Sequence, residues 1–153
     1  MNKWVLISLA MAGSAALLLG AFGFQHLGGL LPCKMCLWQR WPHGAAVIIG
    51  IAALGLRMAP LAWLGALAAG TTGAIGAYHA GVEWGFWPGP ASCSGGGLDM
   101  GGMTGADLLS MNAPSGLVMC DEVVWSLMGL SMAGWNALAS FALMALWIAA
   151  ARR

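Results

Sequence analysis

Charge is what this sequence has least of. Only 7% of its 153 residues are Asp, Glu, Lys or Arg, where soluble domains run near about a quarter. No acidic residue precedes Glu83, and Arg152-Arg153 is the longest basic run. The first scarcity excludes an ordinary water-facing surface. The second, with a net charge of +1, leaves nothing to grip a nucleic acid. Haem attachment through C-x-x-C-H is excluded too, because Leu37 follows Cys36. What fills the chain is 60% hydrophobic residues, with 24 Gly, 11 Met and 9 Trp. That composition, at one domain's length, is that of a membrane protein packed through small residues and anchored by interfacial aromatics.

Four stretches carry no charge: residues 4–24, 41–56, 58–82 and 123–151. The first is long enough to cross a bilayer as a helix. A cleavable signal peptide is its competing reading, but Gln25 and His26 follow Phe22 and Phe24 where a small-x-small site would stand. The second is short, so its helix is expected to start near Cys36 or Leu37, with Arg40 snorkelling and Pro42 kinking the helix. Pro60 suits the first turn of a third helix. Ala66/Gly70, Ala69/Gly73 and Gly73/Ala77 are small-xxx-small pairs for close helix approach, and Asn136 reads as an interhelical hydrogen bond. The expected fold class is therefore an all-α membrane protein, a single domain over 1–153. It is a bundle of four transmembrane helices spanning about 4–24, 38–57, 60–80 and 123–150. Loops at about 25–37 and 81–122 join them on one side. The second loop is long and rich in Gly, Pro and Ser. Its Thr104-Gly105-Ala106-Asp107 is a weak helix-start signal, predicting a short amphipathic helix on the membrane surface.

Four spans put both termini on one side. That side holds Lys3, Arg57, Arg152 and Arg153, against Lys34 and Arg40 on the other, so it is expected to be cytoplasmic. Cys33, Cys36, Cys93 and Cys120 all fall outside, together with the five acids. Cysteines confined to the outer face point to disulfide chemistry in an oxidising compartment.

The chain is organised around Leu31-Pro32-Cys33-Lys34-Met35-Cys36-Leu37-Trp38-Gln39-Arg40. If a helix opens from Pro32, both thiols lie in its first turn, where free N–H groups and the dipole favour a thiolate. Arg40, one turn on, adds a fixed positive charge. Of three possible pairings, Cys33–Cys36 and Cys93–Cys120 is the natural one. A zinc site of four cysteines would want two close pairs, and 93 to 120 is not one, so no metal ligands are expected. Two alternatives stay open. Met100, Met103, Met111 and Met119 beside thiols would suit Cu(I) binding or transport, and both disulfides could be purely structural. Against the latter, a ring as small as Cys33–Cys36 constrains little unfolded chain. A charge like Arg40 at a membrane boundary also asks for a use. An activated dithiol at the lipid surface invites an acceptor dissolved in the lipid.

Pro32-Cys33-x-x-Cys36-x-x-x-Arg40, Tyr78-His79, Trp87-Pro88-Gly89-Pro90-x-x-Cys93 and Gly129-Leu130-Ser131-Met132-Ala133-Gly134-Trp135-Asn136 together resemble the disulfide bond formation protein B (DsbB) family. The resemblance covers essentially the whole chain. The vitamin K epoxide reductase type uses similar parts, but Cys-x-x-Cys after the first span fits the DsbB order better. The resemblance implies a bacterial inner-membrane bundle with periplasmic cysteines. It would reoxidise a periplasmic DsbA-like oxidase of the thioredoxin fold and pass the electrons to ubiquinone or menaquinone. It further implies that the partner attacks Cys93, that the freed Cys120 attacks Cys33, and that Cys36 donates to the quinone. Arg40 and His79 would be the cofactor-binding residues. His26 and His43 are expected to be interfacial.

Overall fold

The computed structural model describes residues 2–90, 93 and 118–153. Four long helices stand among them: α1 (Lys3–His26), α2 (Lys34–Gly55), α3 (Ala62–Glu83) and α4 (Met132–Ala151). Lys3–His26 and Met132–Ala151 are long and apolar enough to cross a membrane. The surface helix expected near 104–111, and Met100, Met103 and Met111, lie outside the described residues.

Local chemistry sets the helix ends. Asn2 caps α1, its side-chain oxygen accepting the Trp4 N–H at 3.2 Å. Cys33 caps α2 with its sulfur, and Pro42 is accommodated inside that helix. Arg57, at φ 57°, turns the chain into a 3-10 turn (Ala59–Leu61) that feeds α3. The fourth apolar run is not helical from its start. Met128 and Gly129 both take positive φ, 53° and 80°, the backbone of a tight two-residue hairpin. This joins β1 (Ser126–Leu127) to β2 (Leu130–Ser131). Ser131 then caps α4 by accepting the Gly134 N–H at 3.2 Å.

Glycine brings α3 and α4 together. A methyl group at Gly65 would overlap the Trp147 ring, and one at Gly76 would sit 3.1 Å from the Ala133 carbonyl oxygen. Trp147 is fully buried in a cluster with Leu6, Ile7, Ala53, Ala66 and Leu143. Outward faces are apolar: Leu19, Ile48, Leu67 and Leu138 are all exposed. The polar side chains go inward instead, and Gln39, His43, Thr72, His79 and Ser140 are all buried.

Candidate functional site

The sulfur atoms gather at one end of the bundle. Cys33, Met35, Cys93 and Cys120 form a second buried cluster, with Cys36 and Val118 against it. Cys93 and Cys120 are joined as a disulfide, while Cys33 and Cys36 are free thiols. The Cys120 N–H donates to the Cys93 carbonyl at 2.9 Å, and the Cys93 N–H to Pro90 at 2.7 Å. The start of the second loop is fixed on α3 by Trp87. Its ring stacks on Tyr78 at 5.7 Å, its N–H donates to the Tyr78 carbonyl at 2.9 Å, and a methyl group at Gly81 would overlap it. The segments that are far apart in sequence thus meet at the first turn of α2.

Within that turn the two thiols are not equivalent. Cys33 Sγ lies 2.9 Å from Cys36 Sγ and accepts the Cys36 N–H at 3.2 Å. The hydrogen bond that Cys33 donates to Cys36 lowers the Cys36 pKa, against the opposing effect of burial. The same bond, reinforced by burial, raises that of Cys33. Of the two, Cys36 is the sulfur that ionises more readily and Cys33 the one that holds its proton.

Arg40 contributes least to that shift. Its guanidinium turns toward α1 instead, donating to Gln25 Oε1 at 2.6 Å and to the Ala21 carbonyl at 3.4 Å. It also lies over the Phe22 ring at 4.9 Å. The pairing with Cys36 expected from helical spacing is replaced by an interhelical clamp.

His79 sits 3.5 Å from Cys33 through Nε2 and 3.9 Å from Glu83 Oε1. Cys33 Sγ, Cys120 Sγ and a His79 ring nitrogen lie within 4.8 Å of one another. On the far side of the ring, Nδ1 is 2.9 Å from Gln39 Nε2. Gln39 Nε2 also donates to the Met35 carbonyl at 3.2 Å, which can only accept. His79 Nδ1 is thereby an acceptor, and the ring proton belongs on Nε2, facing the Cys33 sulfur and the Cys120 backbone.

The polar chain continues inward. Asn136 Nδ2 donates to Gln39 Oε1 at 2.7 Å and lies 3.3 Å from Thr72 Oγ1, while its Oδ1 meets His43 Nε2 at 3.0 Å. Asn136 does bond across helices, and His43, expected to be interfacial, is only 3% exposed. Asn136 and Ser140 hold it in the bundle through Nε2, at 3.0 and 3.4 Å, while the buried Nδ1 has no hydrogen-bond partner among the described residues. Gln39 and Glu83 had no place among the expected site residues. The signal for Gln39 was a polar side chain one turn from a Cys-x-x-Cys in an otherwise apolar run. Glu83 read as part of the second loop, yet it closes α3 beside His79.

A cavity of about 370 Å³ opens between the four helices and the segment before the hairpin. Leu17, Phe24 and Trp135 give it apolar walls, and Cys36, Arg40, His79 and Asn136 stand among its polar points. This is the character of a site for an apolar ring with a few polar atoms.

Comparison with known proteins agrees with the sequence resemblance. The family model described as "Disulfide bond formation protein DsbB" matches residues 3–150. A Disulfide bond formation protein B of Verminephrobacter eiseniae is 39% identical, covering 95% of this chain and 83% of its own. One from Azoarcus sp. is 32% identical, covering 99% of this chain and 95% of its own. No solved structure matches.

Proposed function

The chain belongs to the DsbB family, membrane proteins of disulfide bond formation, and from that premise we propose that it oxidises a periplasmic DsbA-like thioredoxin-fold protein and passes the electrons to ubiquinone or menaquinone. All four helices span the bacterial inner membrane as one domain over 1–153, with both termini cytoplasmic. Their exposed leucines and isoleucines then face lipid, and the inward polar layer escapes it. The first turn of α2 and the cysteine cluster stand at the periplasmic boundary.

The observation that carries this reading is the meeting of all four cysteines beside an apolar cavity. The partner's thiolate attacks Cys93, breaking Cys93–Cys120 and freeing Cys120 as a thiolate. Cys120 attacks Cys33 of an oxidised Cys33–Cys36 pair, and Cys36 leaves as the thiolate. The state with Cys33 and Cys36 as thiols and Cys93–Cys120 closed is the one that holds electrons ready for the lipid. The cavity residues fit a quinone ring: Leu17, Phe24 and Trp135 would enclose it, with Cys36 at one wall and Arg40 and Asn136 as polar contacts. A quinone, when bound, supplies an acceptor for two electrons and two protons. His79 lines the same cavity and lies 3.5 Å from Cys33, so it faces both the ring and the sulfur exchange.

The test is turnover of a reduced DsbA-like protein by the purified chain with a short-chain ubiquinone analogue. Partner thiols should disappear in step with the quinone's ultraviolet absorbance, and a reduced partner left with only its attacking cysteine should open Cys93–Cys120 and be trapped as a mixed disulfide through Cys93. Undiminished turnover in quinone-free, anaerobic detergent would sink the reading.

A further inference from the structure

Two histidines and two amides form one hydrogen-bonded chain through the middle of the bundle, and one backbone group decides its direction. The Met35 carbonyl accepts only, so the Gln39 atom 3.2 Å from it must be the amide nitrogen. That fixes Gln39 Oε1 toward Asn136 Nδ2 at 2.7 Å. Asn136 Oδ1 is then left for His43 Nε2 at 3.0 Å. The second hydrogen of the Gln39 amide goes to His79 Nδ1 at 2.9 Å. A neutral imidazole has one N–H, so His79 carries it on Nε2. Thr72 closes the set, donating to the Gln39 carbonyl at 3.0 Å, so Gln39 is held at both its side chain and its backbone.

We propose that Gln39 is a positioning residue that locks His79 as its Nε2–H tautomer, making the imidazole a fixed hydrogen-bond donor to Cys33 and Cys120 during exchange between the two cysteine pairs. The assignment rests on the exchange described under the proposed function. In that step the Cys120 thiolate attacks Cys33, a Cys120–Cys33 bond forms and Cys33–Cys36 breaks. Cys36 departs with the electron pair. No proton and no net electron enters or leaves, so the step needs no base. What it needs is a donor beside sulfurs that share negative charge in the transition state. A bare Nε2 lone pair there would repel that charge, whereas an N–H stabilises it. An N–H on Nε2 also leaves that nitrogen no lone pair for a cation, so the Cys33, His79 and Cys120 group reads as a sulfur relay.

Replacing the amide by a carboxylate reverses the lock. A Glu at position 39 accepts from Nδ1, leaving Nε2 bare unless the ring is doubly protonated. Among the described residues, the ionisable groups facing His79 are Glu83 on its own helix and Cys33 on α2, with Cys120 on the loop becoming a third once its disulfide is opened. Arg40 is turned to α1.

The test joins a spectroscopic readout to a kinetic one. In histidine-labelled protein, long-range proton–nitrogen correlation spectra should show His79 neutral with its proton on Nε2. Gln39→Glu should move that proton to Nδ1 or charge the ring. Release of the Cys36 thiolate after a single mixing with reduced partner should have no step from the ring in the wild type. In Gln39→Glu it should fall about tenfold as pH rises through the ring's titration. Gln39→Leu, which has no lock, should be slowed about tenfold at every pH, and a conservative Gln39→Asn should recover part of the rate. An Nδ1–H tautomer in the wild type, or a flat profile in a folded Gln39→Glu protein, overturns the assignment. Fast Cys36 release from Cys120→Ser with the Nε2–H tautomer intact would instead remove the exchange step, and with it the role given to His79.

Discussion

At one end of the bundle Trp147 fills the space over Gly65, and Leu6, Ile7, Ala53 and Leu143 close around it. At the other, the space between helices is crossed by Gln39, Asn136, His43, His79 and the cysteines. The first end is held by fit, which has no direction and tolerates no added volume. The second is held by hydrogen bonds whose donors all have assigned places. Damage to the first end should therefore appear as lost stability, and damage to the second as lost or altered chemistry in a folded protein.

The largest effect expected is at the sulfur end. Cys36→Ser removes the thiolate at the cavity wall and should lower turnover by at least ~1000-fold, with a melting temperature in detergent close to the parent's. A large fall in melting temperature would mean that the sulfur end is structural after all. At the packed end, Gly65→Val places a branched side chain into the Trp147 ring. It should destabilise by about 3 kcal/mol, read by thermal unfolding, with turnover per folded molecule unchanged. Normal stability combined with slow turnover would break the division.

A smaller effect sharpens the second half of the comparison. The hydrogen bond from Cys33 is the main cause of the depressed Cys36 pKa, and burial opposes it. Only the thiolate reacts with iodoacetamide, so Cys36 should be alkylated at a lower pH than an ordinary thiol. Alkylation should slow as pH falls through the depressed value. Cys33→Ala removes the hydrogen bond and leaves burial, so the midpoint should rise past that of an ordinary thiol. At pH 7 alkylation should then drop by about tenfold or more. An unmoved midpoint would show that the helix N-terminus alone activates the sulfur.

Much of the packed end was legible in the sequence, because it depends on residue size at helical spacing. Gly70 and Gly73 do face α4, against Met144 and Phe141. The sulfur end was legible as a list of cysteines but not as a geometry. Spacing placed Arg40 beside Cys36, yet a long side chain at a helix start can reach sideways, and Gln25 on α1 offered it an oxygen. Nothing local ties Gln39 to His79, forty positions apart, since that contact exists only once α2 and α3 pack. The hairpin before α4 was hidden for another reason. Ser126–Ser131 is apolar enough to extend a helical run, and only the positive φ at Met128 and Gly129 breaks it.

Arg40 carries the smallest expected change in sulfur chemistry, and it tests whether the comparison extends to α1. Its guanidinium is held by Gln25, the Ala21 carbonyl and the Phe22 ring, all on the helix that forms one wall of the cavity. Its influence on Cys36 ranks below those of the Cys33 hydrogen bond and of burial. Arg40→Gln should therefore move the Cys36 alkylation midpoint far less than Cys33→Ala does. It should instead raise the KM for a quinone analogue by about fivefold while kcat stays within about twofold, because a lost contact made equally in ground and transition states appears in KM. Gln25→Ala, which frees the same guanidinium without removing its charge, should reproduce part of the KM change and none of the midpoint shift. If both variants shifted the midpoint as much as Cys33→Ala, the clamp would belong to the sulfur machinery, and α1 would have to be counted with the chemical end of the bundle.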